Sequence, residues 1–483
     1  MYIFMNKELK RYNNELCNNK MSFQECELAI LRQAVDESDL IKKRKMASSS
    51  SINEILVVVE DFLKKKQLVC YGGTAINNIL PIEAQFYDRT VEIPDYDFFS
   101  PNALNDSIEL ANIYYKLGYT DVEAKSGVHK GTFKVFVNFI PIADVTQIHS
   151  GLFDTISKDA ITIEGIKYSP PDYLRMNMYL ELSRPMGDTS RWEKVLKRLN
   201  LLNKYYPANT NISCNTIQFQ RKMNSLKENG EHLHDIIRDN LISQEVVFFG
   251  GYATSLFSKY IVGNYSVVKR VPDFDVLAKE PEKTMNILHQ NLILQGFKNL
   301  KIIKHNGIDE LISDHYELQA NGESVLFIYQ PTACHSYNKI MIDKQKIKIA
   351  SIDTILTFYL AFMYANLPYY KKERLLCMVK YLFDVEAKNR LSSKGLLKRF
   401  SIYCYGKQAS IEEIRGAKSD AYKRLRDKRD TKEYKEWFLN YSPANGKITK
   451  PKSTKNNKNA TKRSIKKKQR KTKKYKKKSE FLY

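Results

Sequence analysis

Asp95 and Asp97 are separated by one residue in the run Ile93-Pro94-Asp95-Tyr96-Asp97-Phe98-Phe99. Read as part of a strand over Val91 to Phe99, the run turns both carboxylates to one face, ~7 Å apart at the backbone, with Tyr96 and Phe98 facing the core. Two convergent carboxylates repel one another unless a cation lies between them. Hard oxygen ligands in a wet cleft suit Mg²⁺ or Mn²⁺ bridging substrate phosphates. Asp144 closes the next long strand, read over Thr132 to Asp144, and can supply a third acid, with a structural role as the other reading. Three acids on adjacent strands can hold two metals, one activating an attacking hydroxyl and the other steadying a leaving pyrophosphate. Gly72-Gly73-Thr74 stands at a strand-to-helix turn. Glycine lets the backbone approach phosphate closely, the helix start offers free N–H groups, and the Thr74 hydroxyl adds a donor. Taken singly, a Gly-Gly pair usually marks an ordinary turn and D-x-D marks solvated acids or caps. The signal is the ordered conjunction of strand, Gly-Gly-Thr, helix, Pro-Asp-Tyr-Asp strand and a later strand ending in Asp.

The elements that must position these groups follow from periodicity. Leu68 to Tyr71 reads as a short buried strand and Thr74 to Leu80 as a short helix. Ser100-Pro101 opens a helix, as N-cap and first residue, that runs to Leu117 and stops at Gly118. Phe133, Val135, Val137 and Phe139 alternate at period two, a strand signal. Tyr173 to Tyr206 is mostly helical and basic on one side. There Arg175, Arg191, Lys194, Lys197 and Arg198 follow the acidic strands, and Arg191, Lys194 and Arg198 share one helical face. That face is either solvated or a phosphate contact, with Trp192 or Tyr173 as stacking surfaces. Arg191 is the foremost candidate, because the Gly187-Asp188 turn would aim it at the cleft.

The sequence repeats itself once. An offset of 178 residues carries Gly72-Gly73 onto Gly250-Gly251, Asp95 onto Asp273, Asp97 onto Asp275 and Gly118 onto Gly296 without a gap. Two copies at this spacing indicate a duplicated α/β (α+β) domain rather than a solenoid. The second copy has Tyr252 where the first has Thr74, and Gly322 where the offset places the third acid. It reads as structural or RNA-holding, with retained metal or nucleotide binding as the other reading. The expected organisation is a helical segment at 1–50, domains at 51–215 and 216–400, a helical segment at 401–444 and a disordered Lys-rich tail at 445–483.

Composition narrows the partners. The 483 residues carry a net charge of +24, of which +16 lies in the tail, with 17 Lys/Arg against Glu480 alone. A polyanion partner is expected, nucleic acid first and anionic membrane second. The tail fits phosphate contact, solubilisation and localisation alike. Met1 to Arg11 is charged without an apolar core, which argues against a signal peptide. Ile355 to Ala365, the richest apolar stretch, is about half the ~20 residues of a membrane span. Seven scattered cysteines without C-x-x-C point to reduced thiols in an intracellular protein. The eight histidines show no zinc spacing.

The conjunction of motifs resembles the polymerase-β-like nucleotidyltransferase superfamily. More closely, residues from roughly 50 to 400 look like the poly(A) polymerase catalytic subunits of large cytoplasmic DNA viruses, of poxvirus, asfarvirus and giant-virus types. Tyr71-Gly72-Gly73-Thr74-Ala75-Ile76, Pro94-Asp95-Tyr96-Asp97-Phe98-Phe99-Ser100-Pro101-Asn102 and Arg191-Trp192-Glu193-Lys194-Val195-Leu196-Lys197-Arg198-Leu199 carry that resemblance. The 21 residues between the glycine pair and Asp95 depart from the shorter gap of the general superfamily and fit the viral subgroup. The resemblance implies two tandem nucleotidyltransferase-like mixed-sheet domains, the second degenerate. It implies transfer of AMP from ATP to an RNA 3′-hydroxyl with Mg²⁺ or Mn²⁺, two ions. Gly72, Gly73 and Thr74 would hold the triphosphate, Asp95 and Asp97 would ligate the metals, and Asp144 would complete the triad and assist deprotonation. Arg175, Arg191, Lys194 and Arg198 are the further nucleotide-binding candidates. Expected partners are the RNA 3′ end and ATP, with a homodimer or a separate processivity subunit and no membrane. The expected location is the host cytoplasm at the viral factory, with the virion as a second site. Uridylyl transfer and a non-catalytic RNA-binding scaffold are the alternatives.

Overall fold

The computed structural model describes residues 16–17, 20–47, 49–88, 93–208, 213–214, 217, 219, 230–261, 273–308, 311–389, 392–445 and 447–448. The first unit contains β1 (Val69–Cys70), β2 (Tyr96–Ser100), β3 (Val122–Ser126), β4 (Thr132–Val137), β5 (Ile140–Gln147), β6 (Ile161–Ile163) and β7 (Ile166–Tyr168). The second contains β8 (Val247–Phe249), β9 (Phe274–Leu277), β10 (Leu300–His305), β11 (His315–Ala320), β12 (Glu323–Tyr329), β13 (His335–Ile342) and β14 (Gln345–Ala350). The first sheet runs β3-β4-β5-β2-β1-β7-β6 and the second β10-β11-β12-β9-β8-β14-β13. The two orders are the same topology, strand for strand, so the repeat read from a fixed offset is a repeat of fold.

The C-terminal segment adds to both sheets. β15 (Cys404–Tyr405) pairs with β13, and β16 (Asn440–Ser442) pairs with β3. β17 (Lys447–Ile448) pairs with β16. The tail expected to be disordered from residue 445 therefore begins with a strand; residues from 449, including Tyr475, lie outside the described residues.

The two units meet through equivalent helices, Pro171–Leu182 of the first and Ile352–Tyr364 of the second. The second helix is buried along its whole length. Its contacts include Tyr364, whose ring meets Tyr173 edge-on at 5.1 Å. Its apolar character is explained by burial against the helix Pro171–Leu182, the helix Lys372–Asn389 and the second sheet. Among the described residues no helix is long and apolar enough to cross a membrane.

Two local expectations change. Thr132 to Asp144 is not one strand: Asn138 and Phe139 both take positive φ (50° and 66°) and turn the chain into the β4–β5 hairpin. The basic stretch after Tyr173 is mostly helical as expected, in the two helices Pro171–Leu182 and Trp192–Tyr205. Ser100 does not cap its helix; its hydroxyl accepts the Asn102 N–H and bonds Asp106 inside the fold. The reduced-thiol expectation is also corrected. Cys17–Cys26, Cys214–Cys377 and Cys334–Cys404 are disulfides, leaving buried Cys70 free. The last two pairs join residues 163 and 70 positions apart, which spacing alone does not reveal.

Candidate active site

β2 lies between β5 and β1, parallel to the first and antiparallel to the second. In this register Asp97 stands directly beside Asp144. Asp95 is not on a strand, since β2 starts at Tyr96. It is held instead by Thr74, whose hydroxyl donates to the Asp95 carbonyl at 2.7 Å. Thr74 is buried and occupied in this way, so it positions Asp95 rather than offering a donor to the cleft. The reason is local: as the third residue of the helix Gly72–Ile79, it turns toward the chain entering β2.

Gly72 adopts φ +73°, the left-handed region that favours glycine. A methyl there would stand 2.5 Å from Asp97 Oδ2, so the turn and the carboxylate are packed as one piece. The Tyr71 N–H donates to the Asp97 carbonyl at 2.9 Å and ties strand to turn. A methyl on Gly73 would meet the Tyr87 hydroxyl and Arg198 Nη1, the latter at 2.9 Å.

The electrostatics are those of crowded acids. Burial pushes the Asp97 carboxyl up to about 7, with Asp95 and then Asp144 adding to the rise, against Lys134 and Arg191. Asp95 is raised in the same direction, by desolvation and then by Asp144. Lys134, opposite Asp144 on β4, forms an ion pair with Asp144 Oδ2. Asp144 Oδ1 is buried with no hydrogen-bond partner.

The donor chemistry of these residues suits a divalent cation. The donors are all carboxylate oxygens, one of them orphaned and another destabilised as an anion by its neighbours. In this structure Lys134 occupies one arm of the trio, and among the described residues no group of three His, Cys, Asp or Glu side chains is close enough to hold a metal ion.

The arginines divide. Arg191 is exposed in the turn Thr189–Arg191 just before its helix, pairs with Glu181 at 3.1 Å, and its charge reaches Asp97. Arg198 reaches Gly73. Lys194 is exposed on the first turn of the helix Trp192–Tyr205. Arg175 is not brought to the cleft. It is 1% exposed, paired with Asp172 and hydrogen-bonded to Asn203 and the Tyr206 carbonyl, so it joins two helices. The proposed stacking surfaces are occupied as well. Tyr173 packs between Phe99 and Tyr364, and Trp192 packs on Phe400 while donating to the Glu181 carbonyl.

Sequence reasoning missed Lys134 and Tyr87. Lys134 follows only from strand register. Tyr87 comes from the segment between the glycine pair and Asp95, which carries no motif of its own.

The second unit lacks the third acid. Register places Phe327 beside Asp275, where the first unit has Asp144 beside Asp97. This replaces Gly322 of the gapless offset, because β12 enters by a differently spaced hairpin. Tyr252 is buried among Phe248, Phe274 and His234.

Comparison with known proteins follows the same division. Residues 57–188, which contain Gly72, Asp97 and Asp144, match the family model described as poly(A) polymerase catalytic subunit. The first unit resembles that catalytic-subunit family in sequence. A protein of African swine fever virus named for a poly(A) polymerase catalytic subunit is 35% identical over 179 residues, covering 36% of this chain and 37% of its own length. A similarly named protein of Acanthamoeba polyphaga mimivirus is 35% identical over 158 residues, covering 32% of this chain and 26% of its own. The chain thus spans between about a quarter and little more than a third of the length of these curated relatives. The crystal structure of the Megavirus polyadenylate synthase superposes with a TM-score of 0.73 at 18% identity, covering 93% of this chain and 92% of that one. Its fold is therefore the fold of this chain over nearly the whole length.

Proposed function

We propose that the chain is a template-independent RNA 3′-adenylyltransferase, a poly(A) polymerase catalytic subunit acting on mRNA in the host cytoplasm at the viral factory. The observation that carries this reading is Asp97 beside Asp144 in register, with Asp95 adjacent and Asp97 packed on Gly72, inside the segment that matches the family.

In this reading Asp95, Asp97 and Asp144 hold two divalent ions, Mg²⁺ or Mn²⁺. When bound, these supply Lewis-acid activation of the attacking hydroxyl and neutralise the leaving pyrophosphate. The chain's own residues do the rest. Gly72 and Gly73 admit the triphosphate against the backbone. Thr74 holds Asp95 in place through its carbonyl. Asp144 Oδ1, buried without a partner, accepts the proton of the RNA 3′-hydroxyl, while Lys134 balances Oδ2. Arg191 and Arg198 balance phosphate charge, and exposed Lys194 contacts the RNA backbone. The hydroxyl oxygen attacks the α-phosphate of ATP, and the α–β bridge breaks with release of pyrophosphate.

Primer extension of a short RNA with the four NTPs in competition, with full-length protein and with protein ending near Ser442, tests this. Lengthening by A alone, dependent on a divalent ion, is expected, with the shortened protein binding RNA more weakly and with a smaller salt dependence. Lengthening by U makes the chain a uridylyltransferase, and RNA retention without lengthening makes it a scaffold.

A further inference from the structure

The Tyr87 hydroxyl and the Arg198 guanidinium converge on one point, the space above Gly73 that a side-chain methyl would fill. We propose that Tyr87 is a substrate-contacting residue that, with Arg198, grips the pyrophosphate end of the nucleoside triphosphate, and that Asn77 is its positioning residue. This rests on the nucleotidyltransfer reading of the same cleft.

The bonding pattern leaves the right groups over. Arg198 Nη2 donates to the Tyr87 oxygen at 2.6 Å. That uses an acceptor position on the phenol and leaves its O–H to donate elsewhere. The guanidinium lies over the Phe86 ring at 4.8 Å and the Tyr87 ring at 5.4 Å. Stacking holds its plane against apolar surface and keeps its remaining N–H groups oriented for a phosphate oxygen. A hydroxyl donor beside an arginine suits an anion that must bind tightly and also leave.

The segment bearing Tyr87 is fixed to the glycine turn. Asn77 is 3% exposed and lies on the helix that begins at Gly72. Its Oδ1 accepts the backbone N–H of both Phe86 and Tyr87, each at 2.8 Å. Tyr87 is therefore placed relative to Gly73 by the helix whose first turn contains Gly73.

The order along the turn selects the phosphate. Asp97 packs on Gly72, whereas Tyr87 and Arg198 pack on Gly73. The reacting α-phosphate belongs beside the carboxylates, so donors at the next residue meet the leaving portion.

Tyr87→Phe keeps the ring and removes only the hydroxyl, so it should melt as the wild type does. Calorimetric titration with ATP, AMP and inorganic pyrophosphate in Mg²⁺ buffer reads the contact directly. Losing a hydrogen bond to a charged group should weaken ATP and pyrophosphate binding by roughly tenfold. AMP binding should change less than twofold. In RNA extension the KM for ATP should rise by the same factor with little change in kcat. Asn77→Ala should move the same constants in the same direction. Wild-type affinity for ATP and pyrophosphate in folded Tyr87→Phe overturns the inference, as does an equal loss for AMP. A wild-type protein that fails to lengthen RNA overturns the nucleotidyltransfer reading alone, and the titrations still decide Tyr87.

Discussion

Gly72→Ala tests whether the carboxylate packed on the glycine turn governs the chemistry. Alanine at φ +73° costs about 1–2 kcal/mol, the penalty of a left-handed backbone for a residue with a Cβ. The new methyl also stands 2.5 Å from Asp97 Oδ2. Ordinary contact begins near 3.4 Å, so the carboxylate must retreat by about 1 Å. A displacement of that size at a reacting centre costs on the order of 10²-fold in rate. The strain alone should lower Tm by only a few degrees in a chain this long. Gly250→Ala is the internal control. Gly250 has φ +75°, and a methyl there would lie 2.6 Å from the Asp275 Cβ and 2.7 Å from its Cγ. It should destabilise at least as much while leaving kcat within about twofold, because Phe327 stands where the third acid would be. RNA extension rates and thermal melts of both variants provide the comparison. A folded Gly72→Ala protein with wild-type kcat would refute the argument that Asp97's position controls the reaction. A folded Gly250→Ala protein with a 10²-fold loss would bring the second unit into the chemistry.

Two further outcomes concern stability. Arg175→Ala should destabilise by about 3–5 kcal/mol in urea melts, since it strands Asp172 and opens the joint between two helices. The folded fraction should bind ATP as the wild type does; a selective loss of ATP affinity would return Arg175 to the nucleotide site. His315 is fully buried and its pKa is lowered to about 4, by burial first. The unfolded chain takes up this proton below about pH 6.5 and the folded chain does not. Stability is therefore intact above pH 6.5 and falls as pH drops toward 4, by up to about 3 kcal/mol. Urea melts at pH 7 and 5 should show this loss in the wild type and much less in His315→Gln; equal slopes would contradict it.

Much of the architecture was legible because it is written in local pattern. The strand before each Gly-Gly pair and the duplication itself survive in the two sheets of equal order, and of each D-x-D run the second acid lies on a paired strand. What was not legible depends on partners distant in the chain. The side chain of Thr74 is claimed by Asp95, and Arg175 by Asp172, Asn203 and Tyr206; residue type alone suggested phosphate ligands. The β4–β5 hairpin hid behind unbroken alternation, because Asn138-Phe139 lacks the glycine that usually marks such a turn. Phe327 beside Asp275 and Lys134 beside Asp144 are consequences of strand register, which no gapless offset supplies.

The central claim is that Asp95, Asp97 and Asp144 carry nucleotidyl transfer and the second unit does not. It is tested most directly by ATP-dependent extension of a short RNA in Mg²⁺ or Mn²⁺, comparing wild type with Asp95→Ala/Asp97→Ala and with Asp273→Ala/Asp275→Ala. The account predicts loss of extension in the first variant and, in folded protein, retention in the second. Extension at the wild-type rate by the Asp95→Ala/Asp97→Ala protein would contradict it.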